Sequence, residues 1–150
     1  MRIIIDADAS PVKDIAISLA ERSGLEVVLV SSVAHHSNKS LPDFVSHIYV
    51  DSGADAADYK IVALAQSGDI VITQDYGLAA LLLPKGCVVV HHKGFEYTDK
   101  NINNMLETRH MSSVIRRGGG RVKGPKPFTS VDKRVFHEFL EGLLVGHVEK

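Results

Sequence analysis

The 150-residue chain has no tryptophan and a single cysteine, Cys87. One thiol excludes an internal disulfide, a disulfide-stapled scaffold and a zinc site built from several cysteines. No apolar run approaches the roughly 20 residues that a membrane-spanning helix needs. The apolar run at residues 3–5 stops at Asp6 and is too short for the core of a signal peptide. We therefore expect a cytoplasmic protein without a membrane segment.

The chain also has little net charge, −1 at pH 7, although its charges are unevenly distributed. Residues 1–100 carry 8 basic and 13 acidic side chains, whereas residues 101–150 carry 9 basic and 5 acidic ones. A basic final third favours an anionic ligand. The pattern leaves the oligomeric state open.

Short apolar segments rich in β-branched residues alternate with segments of helical periodicity, which predicts one α/β domain over residues 1–150. The predicted strands are Arg2–Ile5, Glu26–Val30, Ile48–Val50, Ile70–Thr73 and Cys87–His91. The predicted helices cover residues 11–23, 55–66, 76–83, 101–115 and 131–144. Ser10 is the expected N-cap of the first helix, with Pro11 in its first turn. This alternation predicts a mostly parallel five-stranded sheet flanked by helices, with further helices at the C-terminal end.

Acidic residues stand where predicted strands end. Asp6 and Asp8 follow the first strand, and Asp75 follows the fourth. Asp55 and Asp58 are three residues apart at the start of a predicted helix, so they share one face. Because the carboxyl ends of parallel strands lie at one edge of a sheet, we expect these carboxylates to converge. A hard divalent cation, Mg²⁺ or Mn²⁺, would relieve their mutual repulsion, activate water and brace a phosphate during in-line attack.

Four segments resemble the YaiI/YqxD family of bacterial proteins, which is related to PIN-like nuclease domains. They are DADASPVK (6–13), SGADAADYKI (52–61), DIVITQDYGLAALLL (69–83) and GPKPFTSVDKRVF (124–136). The resemblance runs nearly end to end. It implies a PIN-like fold and a metal-dependent phosphodiesterase with acidic residues at Asp6, at Asp55 or Asp58, and at Asp75.

The chain departs from the resembled pattern at two places. Ser10 stands where such proteins usually have cysteine, so a thiol cannot act there, and the hydroxyl is expected to cap the helix or to bind a phosphate oxygen. The fourth acidic residue that is typical of PIN domains after the fifth strand is not evident. In HHKGFEYTD (91–99) the first acids are Glu96 and Asp99.

A glycine-rich loop between Val114 and Thr129 carries basic residues and no acid. They are Arg116, Arg117, Arg121, Lys123 and Lys126. Arginine pairs phosphate oxygens bidentately, so the loop suits a nucleic-acid backbone, although its composition also fits a solvated connector. Phe128 and Tyr97 would either stack on bases or pack in the core.

The histidine pairs His35-His36 and His91-His92 are poor candidates for a shared ion, because neighbouring residues of a strand point to opposite faces. The preferred hypothesis is a divalent-metal-dependent nuclease or phosphodiesterase acting on RNA or a related nucleotide. Its catalytic residues are Asp6, Asp8 and Asp75. Its metal ligands are Asp6, Asp55, Asp58 and Asp75.

Two alternatives remain open. One is a non-catalytic nucleic-acid-binding protein with a degraded PIN-like site, which the missing fourth acid suggests. The other is a haloacid-dehalogenase-like phosphatase, in which Asp6 is the nucleophile and Asp8 the acid/base. That interpretation needs a hydroxyl such as Ser31 or Ser32, a lysine such as Lys60 or Lys85, and a late acidic pair that the sequence lacks.

Overall fold

The computed structural model describes residues 1–32, 40–51, 55–104 and 128–148. Its strands are β1 (Arg2–Asp6), β2 (Glu26–Ser32), β3 (Val45–Val50), β4 (Ile70–Ile72), β5 (Val88–His91) and β6 (Phe95–Glu96). They form one sheet in the order β3-β2-β1-β4-β5-β6. The first five strands pair in parallel, and β6 pairs antiparallel with β5. The prediction of a mostly parallel α/β sheet is therefore confirmed, and the sheet has six strands instead of five.

Helices cover both faces of this sheet. They are α1 (Lys13–Ser23), α2 (Ala56–Leu64), α3 (Tyr76–Leu82) and α5 (Ser130–Val148), together with α4, whose described part covers residues 99–104. A 3-10 turn (Ala7–Ala9) follows β1, and a second (Leu83–Lys85) follows α3. In the part of the chain that the structure describes, no helix combines the length and the apolar character needed to cross a membrane.

Alternation along the strands divides the core into two layers, because successive side chains point to opposite faces. On one face, Ile3 and Ile5 of β1 pack with residues of α1 and α5 such as Leu19 and Phe136. On the other face, Ile4 packs with residues of α2 and α3. The central strands β1, β2 and β4 are thus buried on both sides, which explains their continuous apolar sequences.

Helix α1 begins later than its capping signals predict. The N-cap of α1 is Val12, no side chain caps it, and Ser10 lies outside the helix in extended conformation (φ −94°, ψ 112°). The prediction that Ser10 caps α1 is therefore wrong. Proline restricts the residue before it to extended conformations, so Pro11 holds Ser10 out of the helix.

The start of α5 agrees with the capping residues in its sequence. The Thr129 hydroxyl accepts a hydrogen bond from the Asp132 N–H (3.2 Å), and the Asp132 carboxylate accepts one from the Thr129 N–H (2.9 Å). This reciprocal capping box starts α5, as expected from a threonine followed three residues later by an acid. Phe136 and Leu140 of its apolar stripe are fully buried. Of the predicted helix 101–115, residues 105–115 lie outside the described residues.

The strand order reverses between β1 and β4. From β1 the chain proceeds outward to β2 and β3, and from β4 it proceeds in the opposite direction to β5 and β6. A crevice forms outside the carboxyl ends of the strands at such a reversal, and it is the usual ligand site of open α/β sheets. Ile5 pairs with Ile72, so Asp6 and Thr73 are the next residues on either side of this crevice.

Candidate functional site

A cavity of about 390 Å³ lies at this crevice. The acids that line it come from three separate parts of the chain: Asp6, Asp8, Asp55, Asp58 and Asp75. Its other lining residues are Ser10, Ala57, Ile72, Thr73, Gln74 and His92. The fold therefore brings together all of the acidic residues that the sequence selected for the site.

Asp6 and Thr73 connect the two central strands. The Thr73 hydroxyl donates a hydrogen bond to Asp6 Oδ2 (3.0 Å) and accepts one from the Asp75 N–H (3.0 Å). The carbonyl of Thr73 accepts a hydrogen bond from the buried Tyr97 hydroxyl (3.3 Å). Thr73 is 2% exposed, so its hydroxyl is a fixed link between the carboxylate of β1 and the turn that follows β4.

Asp75 is oriented by the helix that it starts. Its Oδ1 accepts hydrogen bonds from the backbone N–H groups of Gly77 (2.8 Å) and Leu78 (3.2 Å), so it is the N-cap of α3. Aspartate is a favourable N-cap because its carboxylate satisfies N–H groups that have no partner within the helix. This structural role fixes one carboxylate oxygen, and the side chain still lines the cavity.

Asp8 is held by the neighbouring strand. Its Oδ1 accepts hydrogen bonds from the Ser32 N–H (2.9 Å) and from the Ser32 hydroxyl (3.3 Å) at the end of β2. In another part of the cavity wall, Asp55 is the N-cap residue of α2 and Asp58 lies in its first turn. The prediction that these two residues lie at the start of a helix is confirmed.

The environment of the cavity opposes ionisation of Asp6 and Asp58. Burial raises the pKa of Asp6, and the negative charges of Asp8 and Asp75 raise it further, although the hydrogen bond from Thr73 acts in the opposite direction. The pKa of Asp58 is raised from its ordinary value of 3.8 to about 6. Burial is the largest cause, followed by the charges of Asp75, Asp6 and Asp55. A hydrogen bond between the Asp58 and Asp75 side chains also favours the protonated form of Asp58.

The donor set of the cavity is chemically suited to a hard divalent cation. Mg²⁺ and Mn²⁺ prefer carboxylate oxygens as ligands, and their charge would offset the repulsion among these acids. Over residues 1–32, 40–51, 55–104 and 128–148, however, no three or more His, Cys, Asp or Glu side chains form a group that could hold a metal ion. Mg²⁺ commonly keeps several waters and binds one or two carboxylates directly. The arrangement is thus compatible with a hydrated ion and differs from a closed protein cage.

The histidines are arranged differently from the sequence-based expectation. His92 lines the cavity, whereas His91, the last residue of β5, stacks on Phe95 with ring centroids 4.7 Å apart. The two imidazoles are 4.4 Å apart, because His92 lies in the turn after the strand and does not point to the opposite face. Burial and neighbouring charges lower the pKa of both, that of His91 to about 4. The cavity wall therefore includes a largely uncharged imidazole.

Some predicted residues lie elsewhere. The basic residues of the glycine-rich loop (Arg116, Arg117, Arg121, Lys123 and Lys126) are outside the described residues. Tyr97 is 1% exposed and is a packing residue. Among the described residues, no lysine lines the cavity: Lys60 is exposed on α2, and the Lys85 ammonium donates to the Val62 carbonyl.

Thr73 and His92 were not among the residues selected from the sequence. Thr73 could have been found from strand register, because the residue after Ile72 must stand beside the residue after Ile5. His92 had no comparable signal, since its position depends on the turn between β5 and the short strand β6.

The fold and the cavity define an α/β protein with an acidic site at the switch point of a parallel sheet. The chain belongs to the YaiI/YqxD family: the family model described as "Uncharacterized BCR, YaiI/YqxD family" matches residues 4–146. A UPF0178 protein of Bacillus anthracis is 53% identical over 144 residues, covering 96% of this chain and 99% of the relative. A UPF0178 protein of Bacillus cereus (strain Q1) is 54% identical over 145 residues, covering 97% of this chain and 99% of the relative.

Among solved structures, that of Rae1 (YacP) from Bacillus subtilis is similar along most of the chain. It is 18% identical, has a TM-score of 0.43 and covers 98% of this chain and 99% of that one. A likeness at this level assigns neither residues nor activity to the present chain.

Proposed function

We propose that the protein is a divalent-metal-dependent nuclease or phosphodiesterase that acts on RNA or a related nucleotide. The observation that carries the proposal is the convergence of Asp6, Asp58 and Asp75, from β1, α2 and the start of α3, in one cavity. Burial is the largest cause of the raised pKa of Asp6 and of Asp58, and the neighbouring negative charges raise both further. A cation bound there would offset part of the cost of ionising them. The resemblance to PIN-like nucleases supports the same assignment.

Asp6 and Asp75 would hold the ion directly. When bound, Mg²⁺ or Mn²⁺ supplies charge stabilisation at the phosphate and lowers the pKa of a water. Thr73 fixes the Asp6 carboxylate, and the α3 N-terminus fixes that of Asp75, so both are oriented before a ligand arrives. Asp8, Asp55 and Asp58 would contact the ion through water or orient the attacking water.

The basic residues of the glycine-rich loop would hold the phosphate backbone. Their charges are needed because an acidic cavity alone repels a polyanion. If Arg116 and Arg117 contact phosphates, their replacement by alanine weakens RNA binding uniformly across sequences and reduces the salt dependence of the affinity.

Cleavage of labelled single-stranded RNA by purified protein with Mn²⁺ tests the proposal. Asp6→Asn and Asp75→Asn should each abolish cleavage, because each removes a charge from the cavity while keeping side-chain volume. Asp51→Asn is the matched control, since Asp51 is an exposed carboxylate beyond the end of β3 and does not line the cavity. Absence of cleavage by the wild type, or full activity in both cavity variants, would refute the catalytic assignment.

The same assay separates the alternatives. Salt-dependent RNA binding without cleavage would favour the non-catalytic binding protein. The phosphatase alternative receives less support, because neither proposed lysine lines the cavity and Ser31 is engaged by His47 Nε2 (2.6 Å).

A further inference from the structure

The wall of the acidic cavity also contains uncharged polar side chains: Ser10, Thr73, Gln74 and His92. Ser10 Oγ is inaccessible, so a ligand in the cavity does not reach it. The Thr73 hydroxyl already donates one hydrogen bond and accepts another within the protein. Gln74 and His92 are therefore the neutral side chains of this wall that remain able to bind a ligand.

The ring nitrogens of His92 are accessible and unpaired. Neither nitrogen has a hydrogen-bond partner among the described residues. Of the side-chain nitrogen and oxygen atoms in that part of the chain, Ser10 Oγ is the one that is both inaccessible and without a partner. The unpaired nitrogens of His92 must therefore be accessible, and a ligand in the cavity can approach them.

Aromatic contacts and a tight turn hold the His92 ring in place. It lies edge to face with Phe128 (ring centroids 5.1 Å apart) and 4.4 Å from the ring of His91. His91 is itself fixed, because its Nδ1 accepts a hydrogen bond from the Lys93 N–H (3.0 Å) and its carbonyl accepts one from the Gly94 N–H (3.0 Å). The imidazole of His92 is thus positioned before any ligand binds.

His92 is a neutral hydrogen-bonding group. Burial is the largest cause that lowers its pKa, and the charge of Lys93 lowers it further, whereas Asp132 acts in the opposite direction. A neutral imidazole has one N–H donor and one nitrogen acceptor. The side-chain amide of Gln74, which is exposed, likewise offers both donors and an acceptor.

This pairing of donor and acceptor indicates which part of a nucleotide would bind at this wall. A phosphate presents acceptors alone, and the five carboxylates of the cavity repel it. The edge of a nucleobase is uncharged and presents donors as well as acceptors, and proteins that recognise single-stranded RNA bind such edges. The cavity, at about 390 Å³, has the volume of a small-molecule site.

We propose that His92 is a base-binding residue whose imidazole forms a hydrogen bond with the edge of an unpaired nucleobase in the cavity. The inference rests on the proposed function for the class of its ligand, a nucleotide. It requires neither a bound cation nor a phosphate contact, because the base and the ring are both uncharged.

NMR titration of the full chain with cytidine in EDTA tests this role, since cytidine has a base and a ribose but no phosphate. His92→Phe keeps an aromatic ring beside Phe128 and removes the nitrogens. It should weaken cytidine binding about threefold to tenfold, the loss expected for one neutral hydrogen bond. His92→Gln keeps a donor and an acceptor and should retain most of the affinity. His137→Phe is the matched control and should bind as wild type does, because His137 lies on α5 and does not line the cavity.

Thermal unfolding in EDTA distinguishes base binding from a structural role. Because His92 makes no hydrogen bond within the described residues, His92→Phe should unfold at the same temperature as wild type or at a higher one. A lower unfolding temperature in His92→Phe, together with equally weak cytidine binding by His92→Gln, would assign the ring to the fold and overturn the inference. Equal cytidine affinity in wild type and His92→Phe, no cytidine binding by wild type, or equal binding of free ribose would also overturn it.

The RNA assay separates this inference from the proposed function. Cytidine binding that depends on His92, without RNA cleavage by wild type, would support the base contact and refute the nuclease. RNA cleavage by wild type and His92→Phe at equal KM would support the nuclease and refute the base contact.

Discussion

Replacing Asp58 by asparagine should stabilise the protein, because the substitution removes a partly buried negative charge that is also repelled by neighbouring carboxylates. The pKa of Asp58 is raised from 3.8 to about 6, a difference that corresponds to about 3 kcal/mol for a fully buried group. Asp58 is only partly buried, so solvent screening reduces the expected gain to about 1 kcal/mol. The asparagine amide can still donate the hydrogen bond to Asp75. At pH 7 in EDTA, Asp58→Asn should raise Tm by about 2–4 °C.

The pH dependence of this gain follows from the direction of the shift. An acid whose pKa is raised by folding binds more protons in the folded state than in the unfolded state between about pH 4 and pH 6. Its ionisation therefore destabilises the folded protein as pH rises through that window. The difference in unfolding free energy between Asp58→Asn and wild type should be full above about pH 6 and should vanish near pH 4. The histidines, whose lowered pKa acts in the opposite direction, contribute equally to both proteins and cancel in the difference.

Urea unfolding followed by circular dichroism at pH 4, 5, 6 and 7, with EDTA present, measures this difference. Asp51→Asn, which removes an exposed charge outside the cavity, should leave both the stability and its pH profile unchanged. Equal or lower stability of Asp58→Asn at pH 7, or a difference that is independent of pH, would show that burial and repulsion of the Asp58 charge do not destabilise the folded protein.

Three other substitutions test the hydrogen bonds and packing contacts that stabilise the site and the surrounding fold. Thr73→Val should lower the free energy of unfolding by about 1–2 kcal/mol, because two hydrogen bonds of the hydroxyl are lost at nearly constant shape. Thr73→Ser should restore most of this stability. Equal stability of wild type and the valine variant would refute the role of the Thr73 hydroxyl in joining Asp6 to the turn after β4. Asp69→Asn should cost about 2–3 kcal/mol at pH 7, because its carboxylate accepts bonds from the Arg2 N–H (3.0 Å) and guanidinium (3.1 Å). Although burial raises the pKa of Asp69, hydrogen bonds from the Gln66 N–H and from Arg2 lower it below its ordinary value. The loss should therefore shrink as pH falls from about 4 through the lowered pKa, and an undiminished loss at low pH would contradict stabilisation by the ionised carboxylate. Gly94→Ala should cost more than about 1 kcal/mol in urea unfolding, because φ is +92° and the new Cβ would lie 2.9–3.2 Å from atoms of α5. Gly142→Ala, whose Cβ would meet no atom within 4 Å, should be neutral or stabilising. Equal effects of the two substitutions would contradict the close approach of Gly94 to α5.

The acidic site was predictable because its residues carry local signals. Asp6 interrupts an apolar run at the end of a strand, and Asp55 and Asp58 open an alanine-rich helix. Parallel pairing of β1 and β4 then brings Asp75 to the same edge, as the alternation of strands and helices indicates. Each step uses periodicity or chain order, which the sequence contains directly.

Other features depend on tertiary relations that periodicity does not encode. The strand β6 has two residues, too few for an alternating pattern, and it exists because the turn after His91 folds Phe95 back onto β5. The capping prediction for Ser10 failed because the proline that is compatible with a first helical turn also keeps its predecessor extended. The Thr73 link requires strand register, and the position of His92 requires the geometry of a turn.

Calorimetric titration of Mn²⁺ into wild type, Asp6→Asn and the control Asp51→Asn determines whether the acidic cavity binds a cation. We expect saturable binding by wild type and Asp51→Asn, and an affinity at least about tenfold weaker in Asp6→Asn. Absence of Mn²⁺ binding by wild type, or equal affinity in Asp6→Asn, would contradict a cation site in the acidic cavity.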